Sequence, residues 1–105
     1  MPYGLPPVAR FPATSSDFGD VEVYDDIDEV RILLGNFTHI HIGCYEEHLS
    51  LAEKEETIVK DTVDFLSRLF ADEIECWGRQ WGGGCGPRGS FKGEVFVWSG
   101  RVCAQ

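Results

Sequence analysis

Histidine and cysteine are the residues of this chain that could hold a metal ion or attack a substrate. His39 and His41 lie two positions apart, so on a β-strand their side chains share one face. Cysteine could complete a zinc site with them or act as a nucleophile. The four cysteines are Cys44, Cys76, Cys85 and Cys103. Because their spacings match no zinc motif, and none predicts a histidine beside Cys85, we expect no metal or other cofactor. A small metal- or thiol-dependent enzyme using His39, His41 and a cysteine remains the alternative.

The segment CWGRQWGGGCGPRGSFKG, residues 76–93, is the other candidate for chemistry because it is rich in glycine. A phosphate-binding loop ends in Gly-Lys-Ser/Thr and leads into a helix. This segment lacks that ending and leads into a predicted strand. We therefore expect a long, mobile hairpin tip that meets a partner. Its basic residues are Arg79, Arg88 and Lys92.

Charge is unevenly distributed along the chain. The formal net charge is −9, and every acidic residue except Glu94 lies within 17–75. Such a surface repels nucleic acid and anionic membranes and attracts basic proteins, although solubility alone also explains it. The candidate partner-binding carboxylates, on the predicted helix and just before it, are Glu46, Glu47, Glu53, Glu56, Asp61 and Asp64.

The elements that position these residues begin with a long amphipathic helix over 51–71. Ser50 followed by Glu53 is a capping-box pattern. Apolar residues at helical spacing predict the buried face. They are Val59, Val63, Leu66 and Phe70, widened by Ile58, Phe65 and Leu69. On the polar side, we expect ion pairs between Glu56 and Lys60 and between Asp64 and Arg68.

A β-hairpin is predicted over 29–43. A three-residue loop at 35–37 sets Leu34 opposite Thr38, Ile32 opposite Ile40 and Val30 opposite Ile42, which makes one face apolar. The other face then carries Arg31, Leu33, His39 and His41.

Further strands are predicted at 21–24, 73–81 and 94–100. Residues 1–19 hold most of the prolines and predict an extended arm before a single domain over 20–105. The order β-β-β-α-β-β predicts an α+β fold of two layers. In it, one long helix covers one face of a mostly antiparallel sheet.

The sheet face away from the helix is expected to be aromatic. If Ile74, Cys76, Val95 and Val97 point inward, alternation sends their neighbours outward. The predicted aromatic interface then comprises Leu33, His39, His41, Trp77, Trp81, Phe96 and Trp98. So large an apolar patch needs a cover. The arm (through Tyr3, Leu5 and Phe11), a second copy in a homodimer, or a foreign partner would supply it.

No apolar run is long enough to span a membrane, and residues 1–20 lack a signal-peptide pattern, so we expect a cytoplasmic protein with reduced thiols. The stretch FTHIHIGCYEEHLSLAEKEETIVKDTVDFLSRLFAD at 37–72 carries a resemblance, together with the size and charge of the chain. In these features the chain resembles the small acidic α+β immunity proteins of bacterial toxin systems. The resemblance implies a non-enzymatic inhibitor that binds one basic toxin, often a nuclease, and blocks it.

Overall fold

The computed structural model describes residues 6–78 and 82–102. It confirms the α+β class, with antiparallel strands and one long helix. The strands form two four-stranded sheets, whereas one sheet was expected. In chain order, the elements are β1 Ala9–Phe11, β2 Val21–Asp25, β3 Glu29–Leu34, β4 Thr38–Gly43, α1 Leu51–Phe70, β5 Ile74–Trp77, β6 Gly84–Pro87, β7 Val95–Val97 and β8 Gly100–Val102.

The first sheet has the order β1-β2-β3-β4, with every neighbour antiparallel. The predicted hairpin register is confirmed: Leu34 lies opposite Thr38 and Ile32 opposite Ile40. Strand β1 comes from the predicted arm and pairs with β2, placing Phe11 opposite Val21. Because its backbone is hydrogen-bonded to the sheet, this part of the arm belongs to the folded domain. Tyr3 and Leu5 lie outside the described residues.

The three-residue turn between β3 and β4 has a defined conformation. Gly35 has φ +55°, and a Cβ there would lie 2.0 Å from the carbonyl oxygen of Phe18. Its N–H donates to the Asp20 carbonyl at 2.9 Å. Only glycine permits both the backbone conformation and this close approach. The turn buries Phe37 completely in the core.

Helix α1 begins and ends with capping motifs. The predicted capping box is confirmed, since the Ser50 hydroxyl accepts from Glu53 N–H and the Glu53 carboxylate accepts from Ser50 N–H. At the other end, Asp72 has φ +63°. The N–H of Glu73 donates to the Arg68 carbonyl, and that of Asp72 to Leu69, which is the Schellman pattern. Both caps satisfy backbone groups that the helix leaves unpaired.

The buried face of α1 agrees with the predicted one only in part, with Leu66 and Phe70 packed against the core as expected. Ile58, Thr62 and Leu69 are buried, while Val59 and Val63 are exposed. The helix packs on β3, β4 and β5. The line through Val59 and Val63 is exposed in the first half of the helix, whereas its continuation through Leu66 and Phe70 packs against the core. Arg68 was expected to pair with Asp64, but its Nε lies 3.5 Å from a carboxylate oxygen of Glu73.

The second sheet has the order β6-β5-β7-β8. Strand β6 lies inside the glycine-rich segment and pairs with β5, so the prediction of a mobile tip is wrong for residues 84–87. Buried Glu75 holds the turn that follows: its carboxylate accepts from the N–H groups of Gly89 at 3.0 Å and Phe91 at 2.9 Å. The pairing and the carboxylate contacts hold residues 84–91 against the rest of the second sheet.

A continuous row of aromatic rings joins the two sheets and the helix end. Neighbouring ring centroids lie 4.8–5.8 Å apart. The row runs Phe11–Phe70–Trp98–Phe18–Phe37–Phe96. These contacts make one core from residues far apart in sequence. Among the described residues, no helix has both the length and the apolar character that a membrane crossing requires.

Candidate functional site

An apolar groove lies between the first half of α1 and the turn that joins β2 to β3. It has a volume of about 310 Å³, and Ile58 and Val30 form part of its lining. Three aliphatic side chains on its rim are largely exposed: Val8 at 67%, Ile27 at 86% and Val59 at 61%. Exposed aliphatic residues gathered around one groove are typical of a binding surface.

Ile27 is held at this rim by a strained turn. Its φ is +75°, a left-handed conformation that β-branched residues rarely adopt. The N–H of Ile27 donates to the Asp25 carboxylate at 2.9 Å, and Asp26 N–H donates to the Glu29 carbonyl at 2.9 Å. The turn therefore presents an isoleucine to solvent at a conformational cost. Strain of this kind concentrates at functional sites.

The charged residues that line the groove are Asp25, Glu29 and Glu55. Glu29 is the most constrained of them. His41 Nδ1 lies 2.6 Å from one Glu29 oxygen, and the Tyr45 hydroxyl donates to the other at 2.7 Å. This hydrogen bond raises the pKa of Tyr45. The groove is thus an apolar surface with a negatively charged rim.

A second cleft, of about 420 Å³, lies on the opposite flank of the helix. His41, Tyr45 and Arg68 line it together with two of the predicted carboxylates, Asp61 and Asp64. The other predicted carboxylates, Glu46, Glu47, Glu53 and Glu56, are exposed. Glu53 is engaged in the helix cap, where the backbone N–H of Ser50 lowers its pKa. The acidic surface therefore extends across both flanks of α1.

Asp26, Glu29 and His41 offer ligand atoms that all lie within 4.8 Å of one another. Their oxygens already have partners, because Arg31 Nε pairs with Asp26 at 3.0 Å and Glu29 is bound by His41 and Tyr45. The positive charge of Arg31 opposes a cation at this position. The group contains neither His39 nor a cysteine. Among the described residues, no three-ligand group joins His39 and His41 to a cysteine.

The predicted aromatic interface is divided in the structure. Leu33 lies opposite His39 on the outer face of the first sheet, as expected, and the rings of His39 and His41 are 5.1 Å apart. Trp77 lies on the second sheet, where it stacks on Phe91 at 4.9 Å. Trp81 lies outside the described residues.

Phe96 and Trp98 were assigned to the wrong face. Phe96 is buried directly opposite Cys76, and directly opposed residues of an antiparallel pair share a face. Trp98 follows two positions later and contacts Phe70 and Phe18 in the core. Both rings therefore stabilise the fold and do not add to the exposed patch on which the expectation of a homodimer rested.

Of the basic residues in the glycine-rich segment, Arg88 is held by an ion pair within the fold. Arg88 Nε lies 3.4 Å from buried Glu75, which holds its side chain against the sheet. Lys92 is exposed, and Arg79 lies outside the described residues.

The fold brings together a surface that the sequence analysis did not identify, made of Val8, Ile27 and Val59. An isoleucine among aspartates, DDID at 25–28, was the signal that could have pointed to this turn.

Searches with this chain found no matching family model, no matching curated protein and no matching solved structure.

Proposed function

We propose that this protein is a binding protein whose partner is a basic protein, and that the acidic-rimmed groove is its docking surface. The observation that carries the proposal is Ile27. A strained, almost fully exposed isoleucine stands at the edge of an apolar groove. Neither core packing nor solubility accounts for that combination, whereas insertion into a partner does.

The energetics of such a surface favour a protein ligand. Val8, Ile27 and Val59 would lose contact with water on docking, and a fully buried aliphatic side chain contributes about 1.5–3 kcal/mol. Interfaces commonly combine an apolar centre with a polar rim. The groove has this arrangement on a small scale.

Charge supplies the choice of partner. Asp25, Glu29 and Glu55 line the groove, and Asp61 and Asp64 extend the negative surface along the helix. A protein that presents an apolar side chain flanked by lysine or arginine matches this pattern. Opposite charges accelerate association, and that acceleration weakens as salt is added.

An immunity-type inhibitor that neutralises a basic toxin, of which nucleases are the leading class, is the specific form of this proposal. An acidic surface of this kind can occupy the site at which a nuclease binds the phosphates of its substrate. Inhibition then follows from occlusion and needs no catalytic residue on this chain.

Capture from lysate of the source cell, with matched variants as bait, tests the proposal. The wild-type chain and Leu51→Asp, which changes an exposed apolar residue outside the groove, should capture the same basic protein. Ile27→Asp and Val59→Asp should lose it. The purified partner should associate more slowly at high salt, and its enzymatic activity should fall on binding.

Equal capture by Ile27→Asp and Leu51→Asp would contradict the docking surface. Capture of an acidic partner would contradict the electrostatic part of the proposal. A basic partner whose activity is unchanged on binding would remove the inhibitor role and leave the binding function in place.

A further inference from the structure

Cys76 and Cys85 face each other across the β5–β6 pair. Both are free thiols; Cys76 is buried in the core, and Cys85 is partly buried against it. Cys44, the other cysteine in the described part of the chain, is on the segment that follows β4. The fold therefore places the thiols of Cys76 and Cys85 opposite each other and leaves Cys85 partly exposed.

The geometry of the ladder brings these two side chains close. Arg88 N–H donates to the Glu73 carbonyl at 3.1 Å, which makes Glu73 and Arg88 a hydrogen-bonded pair. Pairs alternate along an antiparallel ladder, and Pro87, opposite Ile74, has no N–H to donate. Ile74 and Pro87 are therefore a non-hydrogen-bonded pair, and so are Cys76 and Cys85, two positions further along the ladder. In such a pair the Cα atoms lie about 4.5 Å apart. A disulfide spans Cα separations of about 4.4–6.8 Å.

The two thiols also differ in exposure and in pKa. The interaction between the two side chains raises the pKa of Cys76 and lowers the pKa of Cys85. Burial raises the pKa of Cys76 further. Because the thiolate is the nucleophile, Cys85 is the attacking residue and Cys76 the resolving one.

We propose that Cys76 and Cys85 form a reversible thiol-oxidation site, which hydrogen peroxide converts into an intramolecular disulfide. The Cys85 thiolate attacks one peroxide oxygen and breaks the O–O bond; the other oxygen leaves as hydroxide and is protonated to water. Cys85 is then a sulfenic acid. The Cys76 sulfur attacks Cys85 Sγ, and the departing hydroxide takes the Cys76 proton as a second water. Two thiols have been oxidised and one peroxide reduced. The site is independent of the groove and of any partner.

Peptide mapping of the full chain tests this site directly. The reduced protein is treated with one equivalent of hydrogen peroxide, alkylated and digested with trypsin. Cleavage after Arg68, Arg79 and Arg88 puts Cys76 on peptide 69–79 and Cys85 on peptide 80–88. We expect these two peptides to be crosslinked, the chain to lose two hydrogens, and dithiothreitol to restore both thiols. Crosslinks to Cys44 or Cys103 in their place, or an irreversible product, would overturn the proposal.

The rate of disulfide formation shows whether strand pairing, or only closeness in the sequence, brings the two cysteines together. Disulfide formation in the folded chain should exceed that in urea by at least about tenfold, because the fold holds the two residues opposite each other. Equal rates would overturn the proposal. Cys44→Ser should oxidise like the wild type, whereas Cys85→Ser should form no disulfide. Cys76→Ser should stop at a sulfenic acid on Cys85 that dimedone traps. Since Cys76 is buried and its replacement can unfold the chain, the wild-type map and Cys85→Ser decide the question without it.

Discussion

The ring of Phe18 lies edge-on against the indole of Trp98, with centroids 5.8 Å apart. Phe18 lies between β1 and β2 and Trp98 lies between β7 and β8, so this contact joins the first sheet to the second. It also places a residue of the predicted N-terminal arm in the core. Trp98 was expected to face away from the helix, but it is covered by Phe18 and by Phe70 of the helix itself.

Replacing either ring should therefore destabilise the protein. We expect Phe18→Leu and Trp98→Leu each to lower the free energy of unfolding by about 1–3 kcal/mol. In the double variant, the losses should fall short of additive by about 0.5–1.5 kcal/mol, the coupling of an aromatic pair. Urea denaturation of the four proteins measures this cycle. Strict additivity would show that the rings contribute separately, and Val63→Ala, at an exposed helix position, is the control.

Buried Glu75 should hold the turn after β6. Glu75→Ala leaves the N–H groups of Gly89 and Phe91 without their acceptor and Arg88 without its partner. We expect a loss of about 2–4 kcal/mol and faster amide exchange at Gly89 and Phe91. The control is Glu94→Ala, which breaks the exposed pair with Arg101 and should cost less than about 1 kcal/mol. Unchanged exchange at both amides would show that the turn is held by other contacts.

Asp20 should make stability depend on pH. The N–H of Ala13 donates to its carboxylate at 2.7 Å and Arg10 pairs with it, and the contact with Ala13 is the larger cause of its lowered pKa. A carboxyl group whose pKa is lower in the folded state stabilises the protein above its unfolded pKa. That contribution is lost as the pH falls through the folded pKa.

We therefore expect wild type to be more stable than Asp20→Asn at neutral pH, with the difference disappearing at the acidic end of the carboxyl range. Thermal unfolding at a series of pH values measures it. Asp61→Asn, on the exposed helix surface, controls for the loss of one charge. A difference that grows as the pH falls would have the wrong sign for this mechanism.

Ile27 should lower the stability of the chain and strengthen the binding of a partner. An L-residue in the left-handed region costs about 1–2 kcal/mol, and asparagine tolerates that region better. Ile27→Asn should therefore raise the free energy of unfolding by about 1 kcal/mol while weakening partner capture. Val59→Asn should weaken capture without stabilising the chain, since Val59 is in a helix. If Ile27→Asn destabilised the chain, the turn would not be strained in the way its φ indicates.

Some features of this protein follow from the sequence by itself, because the interactions that make them are local. The capping box joins Ser50 to a residue three positions away, and the hairpin register follows from the alternation of apolar residues on either side of a short turn. Even the class of the fold follows from the order of such elements.

Only the tertiary structure decided the features at which several segments of the chain meet. Alternation within β7 is consistent with either face, and only pairing with β5, about twenty residues earlier, puts Phe96 inward beside Cys76. The choice between the Ile58 and Val59 lines of the helix depends on the position of the sheets beneath it. The opposition of Cys76 to Cys85 and the groove around Ile27 likewise come from long-range packing, whose closure entropy and register no local pattern specifies.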